Sequence, residues 1–193
     1  MTTQQNKQNT LTISEITFIS IMAAAMGVAW WGYTLVFSII EPFLKAVALN
    51  GLFDGVWFMG GTFFAYIIRK PGSGVLGETI AAVIQGFISK WGITSLYYGI
   101  LQGLAAELIF WLFRYKRWNI WSMCLASLAT AFVCFILNMF WYQFYKLNLS
   151  YNLLQLACSS ISGIIFAGFG SKFLADKFAK AGVLNQFKIT QDN

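Results

Sequence analysis

Histidine is absent from all 193 residues, and charged side chains make up only 10% of the chain. The first absence removes histidine-based triads, histidine metal sites and imidazole acid–base chemistry. The second sets the chain apart from ordinary soluble domains, where roughly 25% of residues are charged. Cys124, Cys134 and Cys158 lie inside apolar stretches without metal-ligand spacing and read as packing residues. No cofactor is expected.

What is abundant is apolar surface, with 58% of residues hydrophobic and 18% aromatic. This is the composition of an integral membrane protein, with no spare length for a soluble module. A net charge of +6 would suggest nucleic acid in a soluble protein. Here the basic residues punctuate apolar spans, so membrane topology accounts for them and no nucleic-acid partner is expected. Ala23-Ala24-Ala25 mimics a signal-cleavage site, but the apolar run before it is short and continues past it. A retained first span is expected.

The chain turns on residues 67–93, where Arg69-Lys70 and Pro71-Gly72 separate two apolar segments. Two spans meeting at a short charged turn make a membrane hairpin. The pattern predicts an all-α integral membrane protein, a single domain over residues 1–193. Its six helices are expected at about 14–31, 51–68, 72–89, 94–113, 119–145 and 151–170. Each suffices to cross a hydrocarbon core of roughly 30 Å at about 1.5 Å per residue. Residues 33–50 contain Glu41-Pro42, Lys45 and Asn50-Gly51, costly at mid-membrane, and are expected as a long external loop or half-inserted helix. Residues 1–10 are polar and expected to lack structure, and 171–193 form a tail suited to the membrane surface.

With both ends on one side, ten of the thirteen Lys and Arg residues share that side, leaving Lys45, Lys90 and Lys146 on the other. The richer side is therefore expected to be cytoplasmic, and the 33–50 segment external. In this frame Glu78 and Glu107 lie about 9 Å from the inner ends of neighbouring spans. They could share a proton or simply serve packing, and Arg114, a heptad after Glu107, is a possible partner. Nearer the outside, Trp57, Gln85, Tyr98, Gln102, Asn138, Trp141, Tyr142 and Gln155 come from five spans at one level. Amides with aromatic rings suit a flat heterocycle, although an interfacial aromatic belt would account for rings alone. On the first span, Ala23 and Gly27, and Ala25 and Ala29, form two small-residue stripes that let another helix approach closely. Gly72 to Gly77 matches a dinucleotide-binding pattern but follows a membrane turn rather than a strand, and Gly163 to Gly168 lacks the lysine of a phosphate loop.

Ile68-Arg69-Lys70-Pro71-Gly72, then Glu78, then Ala81-Ala82, resembles the helix 2–3 hairpin of the YkoE family. Gln102 to Glu107 ahead of Phe113-Arg114-Tyr115 resembles its fourth helix, and Gly182-Val183-Leu184-Asn185 its tail. The similarity runs from about Phe58 onward. These are substrate-binding (S) components of energy-coupling-factor (ECF) vitamin transporters, associated with thiamine or its hydroxymethylpyrimidine precursor. The resemblance implies a multi-pass protein of the bacterial plasma membrane that binds a vitamin near the outer face and is not itself an enzyme. It implies a transmembrane coupling protein of the EcfT type and two ATPase subunits as partners, with Ala23, Ala25, Gly27 and Ala29 as the candidate contact. Glu78 and Glu107 join the outer layer as candidate ligand residues. The chain departs from the family at Gln85 and Asn138, where acids often stand, which favours a neutral pyrimidine over cationic thiamine. The rival readings are an S component for another vitamin, a small membrane enzyme using Glu78 and Glu107, and a secondary transporter. The last expects two repeated halves that the sequence does not show.

Overall fold

The computed structural model describes residues 10–191. The polar leader lies outside them apart from Thr10, as do residues 192–193. Every regular element among the described residues is helical. Helix α1 is Ile13–Ala46, α2 Asn50–Ile68, α3 Ser73–Ile88, α4 Thr94–Leu112, α5 Ile120–Trp141 and α6 Leu149–Lys180, with a last short turn α7 at Lys188–Gln191. All but α3 and α7 are long and apolar enough to cross a membrane, and α3 is a shorter apolar helix.

Residue types at the boundaries explain where most helices begin and end. Thr12 accepts the Glu15 N–H while the Glu15 carboxylate accepts the Thr12 N–H, a capping box that starts α1. Asn119 caps α5 through the Ser122 N–H. Between α2 and α3 the chain reverses through Arg69 at φ 55° and Gly72 at φ 85°. The left-handed backbone at Gly72 suits a residue without a Cβ. Lys70, at the same turn, is buried against Glu15 at 2.8 Å and so pins the hairpin to the start of α1.

Two expectations about chain path need correction. Residues 33–46 continue α1 rather than leaving it as a loop, and only 47–49 separate α1 from α2. The charges that argued for a break are neutralised: Glu41 pairs with Lys45 at 2.8 Å and with Lys90 at 2.7 Å. With 34 residues α1 is about 51 Å long at helical rise, well beyond a core of about 30 Å, so its polar end projects past hydrocarbon. The tail is the second correction. Residues 171–180 extend α6, and Leu184, Phe187 and Ile189 then fold back to 0–1% exposure instead of resting on a surface. Phe187 meets Phe18 of α1 with ring centroids 4.4 Å apart. Helix α5 also ends four residues early, at Trp141, where Gln143 turns left-handed ahead of a 3-10 turn at Phe144–Lys146.

The centre of the bundle is held by small residues. A Cβ on Gly103 would stand 2.8 Å from Val75 Cα, and one on Gly99 would stand 2.5 Å from the Ala82 Cβ. Helices α3 and α4 therefore touch nearly backbone to backbone. Gly27 does the same for α1 and α3, where an added Cβ would lie 2.5 Å from the Ala81 carbonyl oxygen. The Gly103→Leu variant is expected to lose about 1–3 kcal/mol through overpacking. Gly32→Leu, at a glycine whose added Cβ would meet nothing within 4 Å, leaves stability unchanged. Thermal unfolding in detergent checks the pair, and equal melting temperatures would show that the close approach is not required.

Candidate functional site

At the end of the bundle away from the Arg69–Lys70 turn, helices α1 to α6 line a cavity of about 140 Å³. A cavity of about 150 Å³ admits benzene, so an aromatic ring fits. Helix α1 contributes Trp30, Phe37, Glu41 and Lys45, and α2 contributes Asn50, Asp54, Trp57 and Phe58. Ala82 and Gln85 come from α3, and Thr94, Ser95, Tyr98 and Gln102 from α4. Cys134 and Asn138 of α5, Gln155 of α6, and Trp91, Tyr142 and Phe144 from the connecting turns complete the wall.

The α2 wall has an unusual backbone. Asn50–Phe58 is a 3-10 helix of nine residues, where runs beyond three or four are uncommon. Its geometry is fixed by α6. Gly51 packs so closely that a Cβ there would be 2.6 Å from the Gln155 carbonyl oxygen. The Ser162 hydroxyl accepts the Gly55 N–H at 2.9 Å and donates to the Leu52 carbonyl at 2.7 Å. With its glycine face against α6, this segment lines the cavity with Asn50, Asp54 and Trp57. Tyr33 and Phe37 hold the Trp57 ring edge-on at 5.0 and 5.2 Å, and the Tyr33 hydroxyl donates to the Phe53 carbonyl at 3.0 Å.

The facing wall is ordered by its own bonds. The Gln85 amide donates to Thr34 at 2.8 Å, and Thr34 donates to the Trp30 carbonyl at 2.8 Å. Tyr98 donates to Asn138 Oδ1 at 2.7 Å, which fixes that amide across α4 and α5. Over the cavity, the Glu41–Lys90 pair ties the end of α1 to the α3–α4 turn.

Seven of the ten candidate ligand residues therefore share this cavity: Trp57, Gln85, Tyr98, Gln102, Asn138, Tyr142 and Gln155. Three do not. Trp141 points outward at 52% exposure, as an aromatic-belt residue does. Glu78 is fully buried in the packed centre, where its carboxylate accepts the Gly61 N–H at 2.5 Å. Glu107 accepts the N–H groups of Gly72, Gly74 and Val75 at 2.9, 2.9 and 3.3 Å, and the Tyr115 hydroxyl at 2.7 Å. It caps the start of α3 from the neighbouring helix, a favourable place for a carboxylate. The two glutamates are engaged separately rather than sharing a proton, and Tyr115 takes the place foreseen for Arg114. Burial, and the carboxylate it donates to, hold the Tyr115 hydroxyl well above the ordinary tyrosine range, so it stays a donor.

The small-residue stripes of α1 also separate. Ala23 and Gly27 are buried inside the bundle, Gly27 against α3, and are not free for a partner. Ala25 and Ala29 are exposed.

Sequence reasoning missed the carboxylate in the cavity. Asp54 stands in an apolar stretch, and a span beginning at Gly51 gave no reason to aim it inward. The i, i+4, i+7 spacing of Asn50, Asp54 and Trp57 was the available signal. Asp54 puts an acid in the cavity, so Gln85 and Asn138 alone no longer favour a neutral ligand.

An amide- and aromatic-lined cavity at one end of a helical membrane bundle is suited to hold a small molecule. Residues 14–133 match the model of the family described as the permease component of an ABC-type cobalt transport system, and the chain belongs to that family. It is 29% identical over 181 residues to the putative HMP/thiamine permease protein YkoE of Bacillus subtilis (strain 168), covering 93% of this chain and 90% of that protein. A crystal structure of an S-component of an ECF transporter superposes with a TM-score of 0.90 at 27% identity, over 95% of this chain and 93% of the other. The chain is thus a transport subunit of the S-component type rather than a catalyst.

The Glu107→Gln variant weakens four hydrogen bonds that now end on a charge. It is expected to lose on the order of 2 kcal/mol, with Tyr115→Phe losing about 1 kcal/mol. Unfolding in detergent measures both, and unchanged stability in Glu107→Gln would rule out the capping role.

Proposed function

We propose that the chain is the substrate-capture subunit of an ATP-driven ECF importer in the bacterial plasma membrane, taking up thiamine or its hydroxymethylpyrimidine precursor. The observation that carries this reading is the convergence of Gln85, Gln102, Asn138 and Gln155 with Trp57, Tyr98 and Tyr142 on one cavity. Thr34 and Tyr98 hold Gln85 and Asn138 in place while Gln155 Oε1 is left without a partner, so the collection of these amides at one hollow supports a site whose remaining polar edge a ligand meets. The permease named HMP/thiamine supplies the chemical class by similarity, and an aminopyrimidine offers the flat ring and the donor–acceptor edge that rings and amides recognise.

In this reading both termini face the cytoplasm and the cavity opens outward, because ten of the thirteen Lys and Arg residues then lie inside. The outer end of α1 and the 47–49 bend, latched by Glu41–Lys90, cover the cavity in place of a long loop. ATP hydrolysis falls to two partner ATPases, reached through a transmembrane coupling protein. That protein docks on Ala25 and Ala29, which α1 presents outward; only 28% of the apolar window of α1 is buried, the smallest share of any long helix here.

Calorimetry of the purified protein with thiamine, hydroxymethylpyrimidine and riboflavin tests the ligand class. Micromolar or tighter binding is expected for one of the first two and none for riboflavin. Failure of both would remove the assignment. Ala25→Trp and Ala29→Trp are expected to abolish uptake in cells while leaving affinity within about twofold, because bulk on the exposed stripe keeps a second helix away. Normal uptake in both variants would place the docking face elsewhere.

A further inference from the structure

The cavity is electrically lopsided. Two carboxylates line it, and one of them, Glu41, is answered twice, by Lys45 and Lys90. Asp54 makes no ion pair among the described residues. Around it the polar atoms are left over: Asn50 Oδ1, Gln155 Oε1 and Trp57 Nε1 are buried without a hydrogen-bond partner, and the Ser159 hydroxyl lies beside the carboxylate. Asn50 and Gln155 are 6% and 3% exposed, and both line the cavity. Unpartnered buried polar atoms are rare in folded proteins, and here three belong to side chains that line the cavity with a single unpaired acid. The opposite wall differs, since Gln85, Tyr98 and Asn138 already have partners within the protein.

Two of the three orphaned atoms are acceptors, and the charged group beside them is an acceptor as well. A neutral ligand would leave Asp54 as an uncompensated charge in a membrane-embedded site, which is costly. A ligand bearing a positive charge supplies the missing counter-ion at the moment of binding. We infer that Asp54, flanked by Asn50 and Gln155, is the subsite for the cationic part of the ligand and sets a preference for charged over neutral compounds. This rests on the reading above that the cavity takes a thiamine-class compound, and within that class it selects the thiazolium-bearing molecule over the free pyrimidine.

The test is titration calorimetry on the full chain in detergent with thiamine, with a thiamine analogue whose thiazolium is replaced by an uncharged thiophene, and with hydroxymethylpyrimidine. Wild-type protein is expected to prefer thiamine over the thiophene isostere by about thirtyfold or more, the scale of leaving a buried charge unpaired. Asp54→Asn brings that ratio close to one by weakening thiamine, while affinity for the isostere changes less than about threefold. A wild-type ratio near one overturns the subsite, as does an Asp54→Asn variant that weakens both compounds equally. The wild-type ratio decides the matter alone if the variant does not fold. Binding of hydroxymethylpyrimidine without thiamine would sink this inference and leave the transport reading standing. Binding of none of the three would end both.

Discussion

Hydrocarbon offers no hydrogen bonds, so a polar group carried into a membrane must find its partner inside the protein or in something the protein holds. That constraint sorts the polar residues of this chain into two sets. Glu107 is answered by three N–H groups and a phenol, and Glu78 by the Gly61 N–H on one oxygen, its Oε1 having no partner. Thr62 and Ser171 bond each other at 3.0 Å, and Thr62 also donates to the Ala167 carbonyl, which fastens α2 to α6 where α6 runs through a π segment. These groups are glue. The second set, around Asp54, is unanswered and lines a cavity. What marks the second set is that its unmet atoms belong to side chains that line one cavity with Asp54.

The same constraint explains the helix geometry. A carboxylate can cap a neighbouring helix only if the helices lie very close, and Gly74, whose added Cβ would be 2.8 Å from Glu107 Oε2, provides that closeness. Glycine thus acts twice in this hairpin, turning the chain at Gly72 and admitting the carboxylate at Gly74. On the cavity side Gly51 and Gly55 play the matching part, letting the 3-10 half of α2 lie against α6. A regular α-helix over 50–58 would rotate Asn50, Asp54 and Trp57 relative to one another at about 100° per residue, against about 120° in a 3-10 helix. The tighter winding therefore bears directly on which side chains reach the hollow.

Six apolar helices, and the bounds of α2, α3 and α4, were legible in the sequence because apolar runs bounded by Arg, Lys, Pro and Gly carry a strong signal. The path of residues 33–46 was not. Its charges look prohibitive one at a time and become acceptable only when Glu41 meets Lys45 a turn later and Lys90 from another hairpin, the second a contact between residues 49 positions apart. The cavity layer was legible as depth, since depth follows from counting along a span. Side-chain direction was not, which is why Glu78 and Trp141 were drawn into the site and Asp54 was left out of it. For Asp54, direction depends on the 3-10 winding of α2, with which the spacing of Asn50, Asp54 and Trp57 is compatible but which it does not by itself fix.

An acid placed this way has a consequence for how such a protein discriminates. Aromatic walls and amides recognise the shape and edge of a ring, and they do so for charged and neutral rings alike. Discrimination by charge needs a group whose cost changes sign with the ligand's charge, and a lone carboxylate in a low-dielectric cavity is such a group. Glu41 cannot serve, because two lysines already neutralise it at the rim, where it instead ties α1 to the α3–α4 turn. Division of labour between the two acids follows from their partners: the paired one ties α1 to the α3–α4 turn, and the unpaired one is left for what the cavity receives.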